Sequence, residues 1–163
     1  MQPDLPETYY LDNVLILFEH VSRVYDDLLA DELREFLATF DQLDSDAQKL
    51  HIRLLNRSQD LYRESKLKYA EIDDIPGAIE RLAERGCIAL AQDLEPADLL
   101  ALFTKPELLA AAGQADLARL KRDQLEAHLI DAADAEYFSA LSQQDRFLQL
   151  LQRDSYSLSL IHI

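Results

Sequence analysis

The sequence predicts a mainly helical protein that carries a small two-stranded ribbon. Three observations lead there. Only three Gly and five Pro interrupt the 163 residues, so helix breakers are sparse. Apolar side chains recur at spacings of three and four along most of the chain, the period of a helix buried on one face. Just two short stretches, 61–69 and 87–91, read as strands instead. With 48% apolar residues the chain has material for a real core, in one ordinary domain or two small ones.

The first helix is expected over 11–29, with Leu11, Val14, Leu15, Phe18, Val21, Tyr25 and Leu28 on the inward stripe. A second, 31–43, repeats the pattern with Leu33, Phe36, Leu37, Phe40 and Leu43. The third opens on Ser45-Asp-Ala-Gln48, which fits a capping box in which hydroxyl and amide each answer the other's backbone N–H. Its Ala47, Leu50 and Leu54 turn inward, while Lys49, Arg53 and Arg57 recur every fourth residue and drift only about 40° per step, forming a basic ridge. Leu61 to Tyr69 alternates as a half-exposed strand. Asp73 or Asp74 then caps a helix with Pro76 in its first turn and Ile75, Ile79, Leu82 and Ala83 inward. Gly86 is placed to end that helix in a left-handed conformation, and 87–91 is the second strand. This order of helix, strand, helix, strand is that of a winged-helix variant, with 61–69 and 87–91 as the paired ribbon.

Beyond Gln92-Asp93 the pattern changes to short helices. One covers 95–103. Thr104-Lys-Pro-Glu107 is a second capping box with an early Pro, opening a helix that Gly113 closes. Arg119-Leu-Lys-Arg122 leads into a helix over 123–133 with Leu125, Leu129 and Ile130 inward, and a final helix is expected from about Asp134 to Gln152.

The net charge is −15, which argues at first sight against nucleic acid, since phosphates are held by Lys and Arg. The distribution reverses that argument. Residues 1–46 hold 12 acidic and 2 basic groups, whereas residues 49–68 hold 6 basic against 2 acidic. A local basic patch is what a DNA surface needs, not a basic total. The rival reading is an acidic helical protein-interaction module whose basic residues are solvated surface.

No apolar run approaches the roughly 20 residues of a membrane span, and the N-terminus lacks the basic start and apolar stretch of a signal peptide. The lone Cys87 makes neither disulfide nor metal pair. A cytoplasmic protein without a membrane partner is expected.

The motifs resemble a known family. Tyr9-Tyr-Leu-x-Asn13, Gln48-Lys-Leu-His-Ile-Arg-Leu-Leu-Asn-Arg57 and Lys66-Leu-Lys-Tyr69 look like the N-terminal region of the Fanconi-associated nucleases, whose members read Q-K-L-Y-V-R-L-F-x-R and K-L-x-Y at these places. His51 stands where Tyr is usual and Leu55 where Phe is. Leu99 to Ile130, with Leu102-Phe-Thr-Lys-Pro-Glu-Leu108 and Lys121-Arg-Asp-Gln-Leu125, is similar to that family's SAP module, a helix-turn-helix-like DNA-binding unit. The likeness covers roughly residues 8–135.

The resemblance implies a winged-helix-like DNA-binding domain over 8–92, a SAP-like module over 93–135 and the start of a further helical region over 136–157. It implies the activity of structure-selective cleavage of flapped or branched DNA, a phosphodiesterase reaction run by a separate C-terminal nuclease domain with Mg²⁺ or Mn²⁺. These 163 residues would then hold no catalytic group and no cofactor. Their DNA contacts would be Lys49, Arg53 and Arg57 with Arg63, Lys66 and Lys68 on the adjacent strand, and Arg119, Lys121 and Arg122 in the SAP-like module. Their partners would be DNA and the family's nuclease domain, in a bacterial, nucleoid-associated setting. The one fragment resembling the nuclease signature, Glu64-Ser-Lys66, lacks a Pro-Asp before it and reads as coincidence. The four His are too scattered for a metal site. Leu158-Ser-Leu-Ile-His-Ile163 reads as a translated transposon-end sequencing adapter (CTG TCT CTT ATA CAC ATC), so the native protein is expected to continue past about Ser157.

Overall fold

The computed structural model describes residues 9–24 and 31–151. They are mainly helical, as expected, with a three-stranded antiparallel sheet. The elements in chain order are α1 (Tyr9–Val24), α2 (Asp31–Gln42), α3 (Ser45–Leu55), β1 (Leu61–Arg63), α4 (Ile75–Glu84), β2 (Ile88–Ala91), α5 (Pro96–Ala101), α6 (Lys105–Ala112), α7 (Arg122–Ala132), α8 (Ala135–Ser142) and β3 (Phe147–Leu150). Two 3-10 helices, Glu64–Lys66 and Ala115–Arg119, lie between them. The expected inward positions Tyr25 and Leu28, and the adapter-like tail at 158–163, fall outside the described residues.

The chain folds as two compact units. Of the described residues, unit 1 holds 9–24, 31–60, 67–89 and 149–151, and unit 2 holds 61–66 and 90–148. In unit 1, α1 and α4 pack with α3, and α2 packs with α1. Phe18 meets Phe36 and Phe40 edge-on at 5.7 and 4.9 Å between ring centroids. Leu33, Leu50, Ile52, Leu54, Ile79 and Leu82 complete a core from which water is excluded. Helix α3 is capped one residue earlier than its sequence suggests. The Asp44 carboxylate accepts from the Ala47 N–H at 3.0 Å, and the Gln48 side chain donates to the Phe40 carbonyl at 2.9 Å. A carboxylate is at least as good a cap as a hydroxyl, so Asp44 displaces Ser45. The Asp74 cap, Pro76 in the first turn of α4 and the left-handed Gly86 (φ 73°) are as the sequence predicts.

Unit 2 closes around Leu99, Leu100, Phe103, Leu108, Leu125 and Leu141, with Phe147 against them. The Thr104–Glu107 capping box forms, and Gly113 ends α6 at φ 65°. Ile130, expected inward, is 45% exposed. The stripe of α7 narrows to Leu125 and Leu129.

The largest departure is the sheet. Its strand order is β1-β3-β2, so the two expected strands do not pair; β3 lies between them. Helix α8 stops at Ser142, and Phe147–Leu150 is a strand where the sequence pattern continued the helix. Leu and Gln are good helix formers in isolation, yet long-range pairing and burial override that weak preference. The Leu150 N–H donates to the Asp60 carbonyl at 2.7 Å and the Leu151 N–H to Cys87 at 3.0 Å. The expected strand at 61–69 is also shorter: after Arg63 it tightens into the 3-10 turn, whose Ser65 backbone N–H and hydroxyl both donate to Asp145.

Candidate nucleic-acid interface

The basic ridge of unit 1 forms only in part: Lys49 and Arg53 lie on α3, whereas Arg57 falls past its end at Leu55, and the three differ in what they hold. Arg53 lies in the middle, its guanidinium 2.7 Å from the Glu71 carboxylate. It sits over the rings of Tyr10 and Tyr69 at 4.2 and 5.1 Å. The Tyr10 hydroxyl donates to the same Glu71 oxygen at 2.7 Å. Burial and the hydrogen bond to Glu71 push the Tyr10 hydroxyl pKa well up. Burial acts against the charges on Glu71 and Arg53, but their mutual hydrogen bonds and those of Tyr10 outweigh it. The carboxyl is held below and the guanidinium above its ordinary value. The Lys49 ammonium donates to the Glu71 backbone carbonyl at 3.1 Å.

Two of the ridge's cations thus tie α3 to the segment after the 3-10 turn. Arg57, just past the end of α3, is exposed and touches the Tyr69 hydroxyl at 3.4 Å. Lys68 is exposed in the same unit. Among the expected contacts in unit 1, Arg57 and Lys68 are thus exposed, and Arg53 keeps 38% exposure within its network.

Arg63 and Lys66 belong to unit 2, not to the ridge beside which the sequence placed them. Arg63 is 8% exposed and cannot reach a phosphate. Its guanidinium lies over the Phe103 ring at 4.0 Å, bonds Asp145 at 3.1 Å and pairs with Glu107. It can stay in the core because the Phe103 ring and the Glu107 and Asp145 carboxylates take up its charge. Lys66 is exposed but sits 3.0 Å from Glu107. Burial would raise the Glu107 pKa, yet hydrogen bonds from Lys66 and Arg63 hold it down at about 2. Glu64, the acid of the nuclease-like triplet, is clasped by Arg146 at 2.6 and 2.9 Å. Both ends of that triplet therefore serve ion pairs of the fold. Among the described residues no three His, Cys, Asp or Glu side chains gather as a metal ion would require.

The second cluster, 119–122, splits in the same way. Arg119 and Lys121 are exposed. Arg122 is tethered, its guanidinium donating to the Leu100 carbonyl at 2.6 Å and to Glu126 at 2.8 Å. Sequence reasoning missed Lys105, whose ammonium donates to the carbonyls of Ala118 (3.0 Å) and Leu120. The signal was present: Lys is electrostatically misplaced in the first turn of a helix, so it needs acceptors elsewhere. Tyr10, Tyr69 and Glu71, which organise the ridge, also went unremarked as a set.

A family model described as the FAN1 HTH domain matches residues 8–89. A Fanconi-associated nuclease 1 homolog of Pseudomonas aeruginosa is 40% identical over 107 residues, 65% of this chain and 19% of its own length. Human Fanconi-associated nuclease 1 is 36% identical over 108 residues, 64% of this chain and 11% of the relative. A crystal structure of paFAN1 bound to DNA with a two-nucleotide 5′ flap and a gap is similar over 98% of this chain, with TM-score 0.80 and 30% identity, and the chain spans 30% of it. No described helix is long and apolar enough to cross a membrane.

Proposed function

The chain belongs to the FAN1 HTH-domain family, and from that premise we propose that it positions flapped or branched DNA for a structure-selective repair nuclease. The observation that carries this reading is the likeness over nearly the whole chain to a relative whose structure holds flap DNA. Its basic residues support the reading from within, since unit 1 presents Arg57 and Lys68 and unit 2 presents Arg119 and Lys121. Such cations contact phosphates rather than bases and carry little sequence information, which suits an enzyme that reads branch shape. In this reading residues 8–92 act as a winged-helix-like domain and 93–135 as a SAP-like module. Cleavage of the phosphodiester belongs to a separate nuclease domain that binds Mg²⁺ or Mn²⁺. The described residues do not fit that metal site, because their one nuclease-like triplet is consumed by ion pairs. We derive no cleavage step from them. A bacterial cytoplasmic setting, on the nucleoid, goes with the same reading.

The test is salt-dependent binding of the full chain to a fluorescent 5′-flapped duplex. With the four presented cations as the phosphate contacts, log affinity against log salt should fall with a slope of about −3 to −4. All nine sequence candidates together would give about −8. Charge reversal at Arg57, Lys68, Arg119 and Lys121 leaves the Arg53–Glu71 and Arg63 networks intact and should abolish binding. Unchanged binding in that variant would refute the reading and favour the acidic protein-interaction module.

A further inference from the structure

We infer that Lys105 is a positioning residue that shapes the chain segment from which Arg119 and Lys121 reach the phosphates. The inference rests on the DNA-binding reading of unit 2 and adds a residue to it. Between the 3-10 helix Ala115–Arg119 and α7, the backbone runs extended through Leu120 (φ −76°, ψ 144°) and Lys121 (φ −70°, ψ 164°). Such a link interrupts the helical ladder, so its carbonyls need outside donors. Lys105 supplies them. One half-buried ammonium takes the carbonyls of Ala118 and Leu120, the two residues flanking Arg119. On the C-terminal side the Arg122 guanidinium takes the Leu100 carbonyl. The Lys121 N–H is fixed by the Gln124 side chain at 3.1 Å. The link carbonyls of Ala118 and Leu120 are thereby held against α6 while the Arg122 side chain anchors the link to α5, and the two side chains between the tethers, Arg119 and Lys121, are left exposed.

The geometry divides the local cations by role. Lys105 and Arg122 spend their charge on backbone carbonyls and hold the link; Arg119 and Lys121 carry theirs to solvent. A charged donor serving two otherwise unpartnered carbonyls is among the stronger ties available to a short link. Its removal frees the link to sample other conformations, and the two presented cations lose their common placement.

The experiment is a mutant cycle on the full chain, read by affinity and salt slope on a fluorescent 5′-flapped duplex, with thermal unfolding followed in parallel. The Arg119→Ala/Lys121→Ala pair should weaken binding and reduce the magnitude of the slope by about 2. Lys105→Met, with Lys105→Gln run alongside, should reproduce most of that loss while still unfolding cooperatively. Added to the pair it should do almost nothing more, because the groups it positions are already gone. Lys105→Arg, which keeps charge and donors, should restore affinity to within about two-fold. If the Arg119/Lys121 pair changes neither affinity nor slope, the DNA reading of this segment fails and the inference with it. If the pair weakens binding but Lys105→Met leaves it intact, or multiplies with the pair as an independent phosphate contact would, the positioning role alone is refuted.

Discussion

His51 makes the stability of unit 1 sensitive to mild acid. Its imidazole is 1% exposed, lies 5.8 and 6.1 Å from the rings of Phe36 and Phe40, and neither ring nitrogen has a hydrogen-bond partner. Burial alone pulls its pKa from 6.5 down to about 4. The unfolded chain takes up a proton as pH falls through 6.5, whereas the folded chain refuses it until about 4. Between those values the unfolded state binds more protons, so falling pH favours unfolding. The stability that neutral His51 permits is complete above 6.5 and is lost progressively below it. Between pH 7 and pH 5 this amounts to about 2 kcal/mol, at 1.36 kcal/mol per pKa unit. Carboxylates do not blur the window. Glu107, opposed by burial but lowered by Lys66 and Arg63, loses its contribution only as pH falls from 4.5 toward 2.

Urea unfolding at pH 7, 6 and 5, followed by circular dichroism, measures the loss. His51→Leu, close in volume and without polar atoms, should flatten the curve across the window. It should also gain on the order of 1 kcal/mol at pH 7, where the unpartnered buried imidazole nitrogens are removed. A parent and variant that lose equal stability between pH 7 and pH 5 would show that His51 is hydrated or partnered in solution and that this reasoning is wrong.

Two further outcomes test the framework on which the cations sit. Arg63→Met should destabilise by about 3 kcal/mol in urea unfolding, since it leaves Asp145 without its ion partner while Ser65 still donates to it; a loss below about 1 kcal/mol would mean that the network contributes little. Gly77→Ala should cost about 1–2 kcal/mol, because a Cβ there would lie 2.0 Å from Oδ2 of the Asp74 carboxylate, whose other oxygen accepts the Gly77 N–H that caps α4. A melting temperature unchanged in that variant would show that the cap can be surrendered.

What the sequence revealed and what it hid divide along a physical line. Local devices were legible: the Thr104–Glu107 box, the Asp74 cap with Pro76, the left-handed Gly86 and Gly113, and the amphipathic stripes of α1 to α4 all act within a few residues. The strand β3 was not, because Phe147–Leu150 becomes a strand only by pairing with β1 and β2, which lie far back along the chain. Nor was the burial of Arg63, whose partners Glu107 and Asp145 lie far along the chain. Spacing shows which face of a helix a charge occupies. It says nothing of the carboxylate that another element brings up beneath it.

That limit matters most for the candidate site. In a chain of net charge −15, a cation near an acidic side chain of a packed neighbour becomes part of the scaffold: Arg53 with Glu71, Arg63 with Glu107 and Asp145, Arg81 with Asp44, Arg146 with Glu64. These pairs keep much of the basic island from acting as a simple positive surface, yet they give it form. Arg53 holds Glu71 and stacks on Tyr10 and Tyr69, and the tyrosine it steadies is the one that Arg57 touches. Lys105 and Arg122 do the same for the segment carrying Arg119 and Lys121. An acidic protein can therefore turn cations outward without being basic overall. Its carboxylates pin Arg53, Arg63, Lys66, Arg81, Arg122 and Arg146, and such pinned groups fix where their outward-facing neighbours stand.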